Sequence, residues 1–254
     1  MRIKSKDIAE KQKIEIEFWR DSRHQSPDAD SVSNILDRMT DGLVFLDSLK
    51  RHKKIIPKKG RVLELGAGQG WASCVYKKLY PQAHVTVTDI SEFAVISLPG
   101  WERIFEVKTD KSYACKSYEI NEKDASLDMI FCFAAAHHFL AHKRTLREIY
   151  RVLRPGGKAI YFHEPASTKL FYRAACRRMN RKRPAVPEDV LVISELKKLA
   201  DQAGLDLFVD YYPSLIKRGP LETVYFYCLG QLPFLQRILP CSVNLIFTKP
   251  DKEK

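Results

Sequence analysis

A strand-like segment that runs directly into alternating glycines constrains this chain more than any other feature. Residues 62–65 read Val-Leu-Glu-Leu, and glycines follow at positions 66, 68 and 70. A residue without a Cβ lets the backbone turn sharply and approach a ligand closely. A helix is predicted directly afterwards, over residues 71–79. Because strand-loop-helix units of this kind bind mononucleotide-like ligands in open α/β sheets, the segment predicts an α/β fold with a ligand site at the loop.

The spacing of the glycines excludes two kinds of nucleotide site. The loop reads G-x-G-x-G, and Trp71 stands where the dinucleotide fingerprint G-x-G-x-x-G requires its last glycine. This argues against NAD or FAD. A Walker A loop is excluded too, since no Gly-Lys-Ser/Thr follows. An ordinary tight turn remains the alternative for the loop taken alone.

The chain after the loop alternates strand-like and helix-like segments, which predicts a mostly parallel sheet with helices on both faces. Arg154-Pro-Gly-Gly157 is predicted to end a helix, and Pro99-Gly100 to break another. The predicted strands cover residues 61–65, 84–88, 112–116, 127–133, 158–162, 205–211 and 245–249. The predicted helices cover residues 71–79, a segment capped by Ser91, 101–107, 143–153 and 192–203.

Residues 1–56 carry two predicted amphipathic helices and no chemical motif. The helices cover residues 6–20 and about 31–50, with a turn at Ser26-Pro27-Asp28 between them. We interpret this region as a helical cap on a main domain of residues 57–254. The first ten residues alternate charges, so they do not resemble a signal peptide. A transmembrane helix is not expected, because no stretch of about 18 apolar residues is present.

The cysteines and histidines do not predict a metal site. Six cysteines are scattered without a C-x-x-C pair, and the histidine spacing is unlike zinc ligation. The simplest interpretation is reduced thiols in a cytoplasmic protein.

The net charge of +12 comes from two stretches without acidic residues, Lys50–Arg61 and Lys169–Arg183, with seven Lys or Arg each. Such surfaces are suited to nucleic acid, anionic lipid or a phosphorylated substrate. Solvated faces without a partner are the alternative.

Four elements then occur at characteristic separations. The loop segment Glu64–Gly70 is followed nineteen residues after Gly70 by Asp89 at a predicted strand end. Next come residues 126–133 (SLDMIFCF) and residues 150–157 (YRVLRPGG). The combination resembles the class I S-adenosylmethionine-dependent methyltransferases, over about residues 57–210. The resemblance implies a Rossmann-like fold with a seven-stranded, mostly parallel sheet, and S-adenosylmethionine as the cofactor.

The resemblance also implies roles for individual residues. The glycine loop would pack against the methionine part of the cofactor, and Asp89 would accept hydrogen bonds from the ribose hydroxyls. Asp128, at the opposite edge of the sheet, would be structural. The full set of implied cofactor residues is Glu64, Gly66, Ala67, Gly68, Gly70, Asp89, Ile90, Cys115, Cys132, Phe133 and His138.

One position departs from the family pattern. Relatives often carry an Asp beside the adenine, and the equivalent position here falls on Ala114 or Cys115. Asp110 serves only if the loop is longer than usual. Backbone groups near Cys115 are the alternative contact for the adenine.

Two histidine-containing pairs are the catalytic candidates. Methyl transfer needs donor and acceptor held in line, and it needs a base only if the acceptor loses a proton. His137 and His138 follow one predicted strand, and His163-Glu164 ends the next. We assign His137 and His163 to substrate contact or base catalysis, and His138, on the resemblance, to cofactor packing. Glu164 either pairs with a histidine or caps a loop.

Two long insertions are expected to surround the acceptor. Residues 165–190 combine aromatic and basic side chains, as in a lid that attracts an anionic substrate. Residues 213–242 are rich in Leu, Tyr, Phe and Pro. This second insertion could wall the acceptor pocket, dock on a membrane surface, or pack in the core.

Three functions follow in order of preference. The first is a small-molecule O-methyltransferase whose acceptor is anionic or anion-linked, such as a nucleotide sugar or a lipid-linked saccharide. The second is an RNA methyltransferase, favoured by the basic charge. However, residues 133–136 read Phe-Ala-Ala-Ala rather than the Asn/Asp-Pro-Pro-Tyr/Phe of base methylation, and no RNA-binding module is recognisable. The third is a non-catalytic partner that retains the fold, against which the glycine loop and Asp89 argue.

Overall fold

The computed structural model of the protein describes residues 5–26, 31–181 and 188–251. The predicted turn at Pro27-Asp28 and the basic residues Lys182 and Arg183 lie outside the described residues. The strands are β1 (Gly60–Leu65), β2 (Ala83–Asp89), β3 (Lys111–Ala114), β4 (Leu127–Phe133), β5 (Leu153–Ser167), β6 (Leu191–Val192), β7 (Asp206–Tyr211) and β8 (Cys241–Thr248). The helices are α1 (Ser5–Asp21), α2 (Val32–Arg51), α3 (Trp71–Leu79), α4 (Glu92–Ile96), α5 (Leu98–Phe105), α6 (His142–Val152), α7 (Tyr172–Asn180), α8 (Ile193–Ala203), α9 (Pro220–Gln231) and α10 (Pro233–Gln236).

All the strands belong to one sheet, and most of its pairs are parallel. The order is β3-β2-β1-β4-β5-β8-β7, with the short β6 beside β5. Among the strands of the described chain, only β8 runs antiparallel to its neighbours, which are β5 and β7. Helical crossovers join the parallel strands, which brings their carboxyl ends to one edge. The expected mostly parallel α/β sheet is therefore confirmed.

The local predictions succeeded where the pattern was strongest. The helix over 71–79 and the strand over 127–133 have the predicted bounds. Ser91 stands at the N-cap position of α4, although its side chain makes no capping hydrogen bond. The break predicted at Pro99-Gly100 was wrong by two residues. Ser97 separates α4 from α5, because Pro99 is tolerated in the first turn of a helix.

Residues 154–157 were predicted to end a helix, which is confirmed because α6 ends at Val152. The residues themselves continue the chain as part of β5. Leu153 pairs with Leu127 of β4. On the other side, the Gly156 amide donates to the Lys249 carbonyl at 2.9 Å, and the Lys249 amide donates to the Gly157 carbonyl at 3.0 Å. Long-range pairing with Lys249, directly after the final strand, thus includes Gly156 and Gly157 in β5.

The core lies on both faces of the sheet, as the helices on each side require. Helix α2 contributes to it directly. The Phe45 ring is fully buried and lies 5.6 Å from the Phe131 ring and 5.5 Å from the Phe162 ring. The second N-terminal helix is therefore continuous with the core of the sheet domain. Within the described residues, no helix has the length and apolar character needed to cross a membrane.

Candidate active site

A cavity of about 570 Å³ opens at the carboxyl ends of β1, β2 and β4. The glycine loop forms its floor, and the N-terminal helix α1 lies across it. The cofactor residues implied by the sequence that line this cavity are Gly66, Ala67, Gly68, Asp89, Ile90, Cys115, Phe133 and His138. Its other lining residues include Lys11, Glu15, Phe18, Trp19, Gln25, Arg38, Ser117 and Glu188.

Gly68 shows why the loop needs glycine. Its φ of +53° lies in the left-handed region, and a Cβ at this position would lie 2.9 Å from the Cη2 atom of Trp19. The Gly68 amide donates to the Oδ2 atom of Asp89 at 2.8 Å. The loop is therefore fixed to the end of β2 on one side and covered by α1 on the other.

Asp89 is almost fully buried at the cavity edge. Its Oδ1 atom accepts a hydrogen bond from the Ser91 amide at 2.9 Å, in addition to the bond from Gly68. Burial raises the pKa of Asp89 to about 6, although the backbone hydrogen bonds act in the opposite direction. Each oxygen has lone-pair capacity left, so the ionised carboxylate is positioned to accept two ribose hydroxyls.

Three residues implied to bind cofactor lie behind the cavity wall. Glu64 is buried and accepts a hydrogen bond from the Ser73 hydroxyl, and burial raises its pKa to about 8. Gly70 begins α3, and Cys132 is buried with its Sγ atom 3.8 Å from Glu164. These residues support the lining loop and strands in the structure, and their contact with cofactor stays a prediction.

The position expected beside the adenine is occupied by Cys115. Its amide donates to the Asp89 carbonyl at 2.7 Å, which holds the residue at the cavity. Asp110 instead accepts hydrogen bonds at 2.8 Å from the Lys77 ammonium and the Val85 amide. Asp110 is thus engaged in a structural network away from the lining residues.

His137 and Glu164 form a buried pair. The 3-10 helix Ala136–His138 follows β4, and Glu164 lies on β5. The Glu164 carboxylate accepts hydrogen bonds from the amides of Ala135 (2.9 Å), Ala136 (2.8 Å) and His137 (3.1 Å). Its Oε2 atom also lies 2.9 Å from Nδ1 of His137. This network assigns the Nδ1 proton to the bond with Glu164 and leaves Nε2 for proton exchange.

The electrostatics of the pair follow from this geometry. Burial by itself lowers the pKa of His137, but the hydrogen bond and charge of Glu164 outweigh it and raise that pKa above its ordinary value. For Glu164, burial raises the pKa, but the bond from His137 outweighs this effect and the pKa is lowered. The arrangement resembles an oriented general base, in which a carboxylate fixes the tautomer and increases the basicity of an imidazole.

A second set of polar side chains joins this pair at the cavity. The His138 ring centroid lies 4.2 Å from that of His137, and its Nδ1 atom lies 3.6 Å from a carboxylate oxygen of Glu15 on α1. One nitrogen or oxygen atom from each of His137, His138 and Glu188 lies within 4.8 Å of the others. Such a set exchanges protons, and its donor types also suit a divalent cation.

Glu15 is the clearest residue that the sequence analysis missed. Burial raises its pKa to about 7, and the charge of Asp89 adds to the effect. No local signal distinguishes it within an amphipathic helix, because its partner lies more than a hundred residues away. Arg38 and Glu188 were also missed, because their place at the cavity depends on the tertiary fold.

His163 lies elsewhere. Its ring stacks on Phe133 with centroids 5.7 Å apart and meets the edge of Tyr212. Burial, followed by the charge of Arg218, lowers its pKa to about 4. His163 is absent from the lining residues of the described cavity. His137 is not among the lining residues either, but its ring lies 4.2 Å from that of His138, which lines the cavity. Because Glu164 also orients its imidazole, His137 has the better geometry for a base.

The expected basic lid is not seen at the cavity among the described residues of the segment 169–181. Its described basic residues are on or next to α7, and none of them lines the cavity. The Tyr172 hydroxyl donates to Asp189 at 2.9 Å and fixes α7 beside the end of the β5–β6 connection. The cations on the cavity wall are instead Lys11 and Arg38, from the N-terminal helices.

Comparisons with known proteins agree with this site. Residues 63–161, from β1 into β5, match the family described as methyltransferase domain. The chain is 30% identical over 112 residues to the tRNA (carboxymethyluridine(34)-5-O)-methyltransferase ALKBH8 of Macaca fascicularis. The match covers 43% of this chain and 15% of that relative, so the chain spans only a small part of the relative's length.

Solved structures share the fold. Phosphoethanolamine N-methyltransferase 2 of Haemonchus contortus, in complex with phosphomonomethylethanolamine and S-adenosylhomocysteine, has a TM-score of 0.64 at 16% identity. The superposition covers 92% of this chain and 60% of that one. Geranyl diphosphate C-methyltransferase of Streptomyces coelicolor has a TM-score of 0.60 at 10% identity, covering 75% and 73% of the two chains.

Residues 63–161 therefore match a methyltransferase domain, and the described chain shares the fold of S-adenosylmethionine-dependent methyltransferases of known structure. The phosphoethanolamine N-methyltransferase 2 structures of Haemonchus contortus contain S-adenosylmethionine or S-adenosylhomocysteine. The matched segment contains the glycine loop and Asp89, which line the cavity, and the adjacent His137.

Proposed function

We propose that this enzyme methylates an oxygen atom of a small-molecule acceptor and that His137 takes the proton which that oxygen loses. The His137–Glu164 pair is the observation that carries the proposal. An amine acceptor reaching the site uncharged has a lone pair and needs no base, whereas a hydroxyl becomes a strong nucleophile only as its proton leaves. A buried imidazole held by a carboxylate is suited to a hydroxyl acceptor, because it can take the proton that the hydroxyl loses.

The chain's own residues supply binding and orientation. Bound S-adenosylmethionine provides a methyl group on a positively charged sulfur, which leaves as a neutral thioether when the acceptor oxygen forms its bond to carbon. The glycine loop and Asp89 would hold the nucleoside and methionine ends, and their geometry fits because Asp89 is buried with free acceptor capacity. Helix α1 would exclude water above them, and His137 would receive the acceptor proton on Nε2, with His138 beside it at the cavity wall.

The acceptor proposed is anionic or anion-linked, such as a nucleotide sugar or a lipid-linked saccharide. Arg38 supports this class. Its guanidinium lines the cavity, one nitrogen contacts Asp41 at 3.2 Å, and its buried Nε atom lacks a hydrogen-bond partner within the described residues. An unsatisfied buried donor favours an acceptor oxygen on the ligand. The acceptors named for the two structural neighbours are likewise phosphate-bearing, although those neighbours share only the fold.

The oxygen specificity has separate support. The relative from Macaca fascicularis is named as a 5-O-methyltransferase. That name also favours a second candidate function, methylation of an RNA oxygen, and the net charge of +12 is compatible with it. A third alternative, a partner protein without activity, predicts cofactor binding without methyl transfer. We also propose a cytoplasmic location, since all six cysteines are free thiols in the structure.

A tritiated-methyl assay with fractionated cell extract separates these candidates. We expect label in the fraction of anionic saccharides or lipid-linked saccharides, and we expect His137→Gln to lower kcat by about 100-fold or more while cofactor affinity is kept. His163→Gln is the matched control and should retain activity. Label in RNA would instead support the second candidate. Binding of cofactor without labelled product in any fraction would support the third.

A further inference from the structure

The second insertion presents an exposed apolar face on the side of the molecule near β5 and β8. Leu221 of α9 is 87% exposed, and Leu170, in the connection before α7, is 82% exposed. We call the set the α9–α10 face. Its members are Leu170, Leu221, Val224, Tyr227, Phe234 and Ile238.

The composition of α9 explains this exposure. Its twelve residues include a single charged side chain, Glu222. Phe226 and Leu229 are its buried residues, so one side of the helix packs inward while apolar side chains also cover the outer side. A helix that is apolar all round is normally surrounded by other apolar groups. In this protein the outer side of α9 meets solvent, and exposed apolar patches of this kind mark interaction surfaces.

Specific contacts make the face continuous with α7. The Thr168 hydroxyl donates to the Ile238 carbonyl at 3.0 Å, which joins the start of the insertion to the end of α10. Arg178 of α7 forms an ion pair with Glu222 at 2.9 Å, and its guanidinium lies 5.6 Å from the centre of the Tyr225 ring. The acid on α9 is therefore neutralised by α7.

Exposed basic residues border the face. Lys169, Arg173, Arg177 and Arg181 recur at four-residue intervals, and all four are exposed. The spacing places Arg173 and Arg177 on one side of α7, with Lys169 before the helix and Arg181 at its C-cap. Residues 165–181 contain no acidic residue, and the ion pair between Lys169 and Glu195, at 3.6 Å, is solvent-exposed. A row of cations thus lies next to a surface of aliphatic and aromatic groups.

We propose that the α9–α10 face and the basic side of α7 dock the enzyme on an anionic lipid surface. Apolar side chains that enter the headgroup region combined with cations that meet lipid phosphates are the two components of peripheral membrane binding. A second copy of this chain would bring two basic rows together across a two-fold axis, and charge repulsion opposes that arrangement. An RNA would pair with the cations but leave the aliphatic side chains in water.

The proposal is independent of the acceptor assigned above, because it uses none of the cavity residues. Cys228 provides a direct probe. It is exposed on α9 next to Tyr227, whereas the other five cysteines of the chain are buried or half-buried. The native protein can therefore be labelled at Cys228 with an environment-sensitive fluorophore, and binding can be measured in parallel by vesicle sedimentation with unlabelled protein.

The experiment compares vesicles of phosphatidylcholine mixed with phosphatidylglycerol and vesicles of phosphatidylcholine alone. We expect binding and a blue shift of the Cys228 label with the anionic vesicles, weakened by salt. Leu221→Asp with Phe234→Asp should lower the apparent affinity by about tenfold or more, and Arg173→Glu with Arg177→Glu should have a similar effect. Ile104→Asp on α5 is the matched control, since Ile104 is an exposed apolar residue outside the insertion.

Three results would overturn the proposal. The first is the absence of binding to either vesicle by the folded protein. The second is binding that the α9–α10 variants leave unchanged. The third is concentration-dependent dimerisation that the same variants abolish, which would assign the face to a second copy. Circular dichroism of each variant identifies any loss of folding, and native protein labelled at Cys228 tests the face without a substitution.

Discussion

Trp19 of helix α1 lies directly over Gly68 of the glycine loop, so close that a Cβ on Gly68 would approach the indole to 2.9 Å. The two residues are far apart in the chain, and only one of them belongs to a recognisable motif. Their contact makes the N-terminal helix a wall of the cavity that we propose as the cofactor site. Helix α1 also brings Glu15 to 3.6 Å from His138 and thereby extends its influence to the catalytic side of the cavity.

Gly68→Ala should weaken cofactor binding. The added methyl group meets Trp19, and the left-handed φ of +53° is unfavourable for alanine. We expect the Kd for S-adenosylmethionine in calorimetry to rise by about tenfold or more, which corresponds to about 1.4 kcal/mol. Gly100→Ala is the control, because a Cβ there meets nothing within 4 Å. Unchanged affinity in Gly68→Ala would show that α1 does not cover the loop in solution.

Cofactor affinity should increase with pH as Asp89 ionises. The carboxylate, with a pKa of about 6, accepts hydrogen bonds from hydroxyls on both oxygens, and protonation removes one acceptor. Affinity should therefore fall below about pH 6 and be constant above about pH 7. Calorimetry across this range would test the dependence. Asp89→Asn should bind more weakly and lose the step, and a wild-type affinity without any step would contradict the ribose role.

For folding of the unliganded protein the sign is reversed. The folded-state pKa of Asp89 lies above the ordinary value of 3.8. Its contribution to the free energy of unfolding is therefore fully present below the ordinary pKa and is lost as the pH rises through about 6. At neutral pH the ionised Asp89 therefore strengthens cofactor binding, while its contribution to the free energy of unfolding of the unliganded protein is lost.

Glu164→Gln should change both the rate and its pH dependence. Loss of the carboxylate charge lowers the pKa of His137, so the acidic limb of the kcat profile should move to lower pH. The plateau rate should fall, because a weaker base accepts the proton less readily. Gln keeps an oxygen that can accept the amide bonds of Ala135 and Ala136, which preserves the fold. If the acidic limb of the kcat profile does not move, His137 is not the group that accepts the proton.

The contacts of α1 should loosen as the pH rises through about 7. The folded pKa of Glu15 is raised above its ordinary value of 4.5, so its stabilising contribution is present at low pH and is lost as Glu15 ionises near Asp89. Hydrogen exchange of α1 amides, corrected for the intrinsic pH dependence, should show decreasing protection between about pH 4.5 and pH 7. Glu15→Gln should abolish this change. Glu17→Gln, on the same helix, should not abolish it. Equal behaviour of the two variants would contradict the assignment of this change to Glu15.

Much of the sheet was predictable because its signals are local. The helix over 71–79 and the strand over 127–133 are defined by short-range periodicity, and both have the predicted bounds. Asp89 was predictable at a strand end because parallel strands place their carboxyl ends at one edge. The extension of β5 through Arg154–Gly157 was not, since it depends on pairing with Lys249 near the other end of the chain.

The sequence by itself determined the α/β class and predicted the loop and the acid proposed to hold the cofactor. It could do so because a glycine loop, an acid at a strand end and alternating apolar segments are local patterns of a few residues. The tertiary structure decided which side chains meet in the cavity. It paired His137 with Glu164, moved His163 into a stack with Phe133, and brought Glu15 from an unmarked helix to His138. Those outcomes depend on burial and on distances between residues far apart in the chain. Neither burial nor such a distance can be inferred from a short segment of sequence.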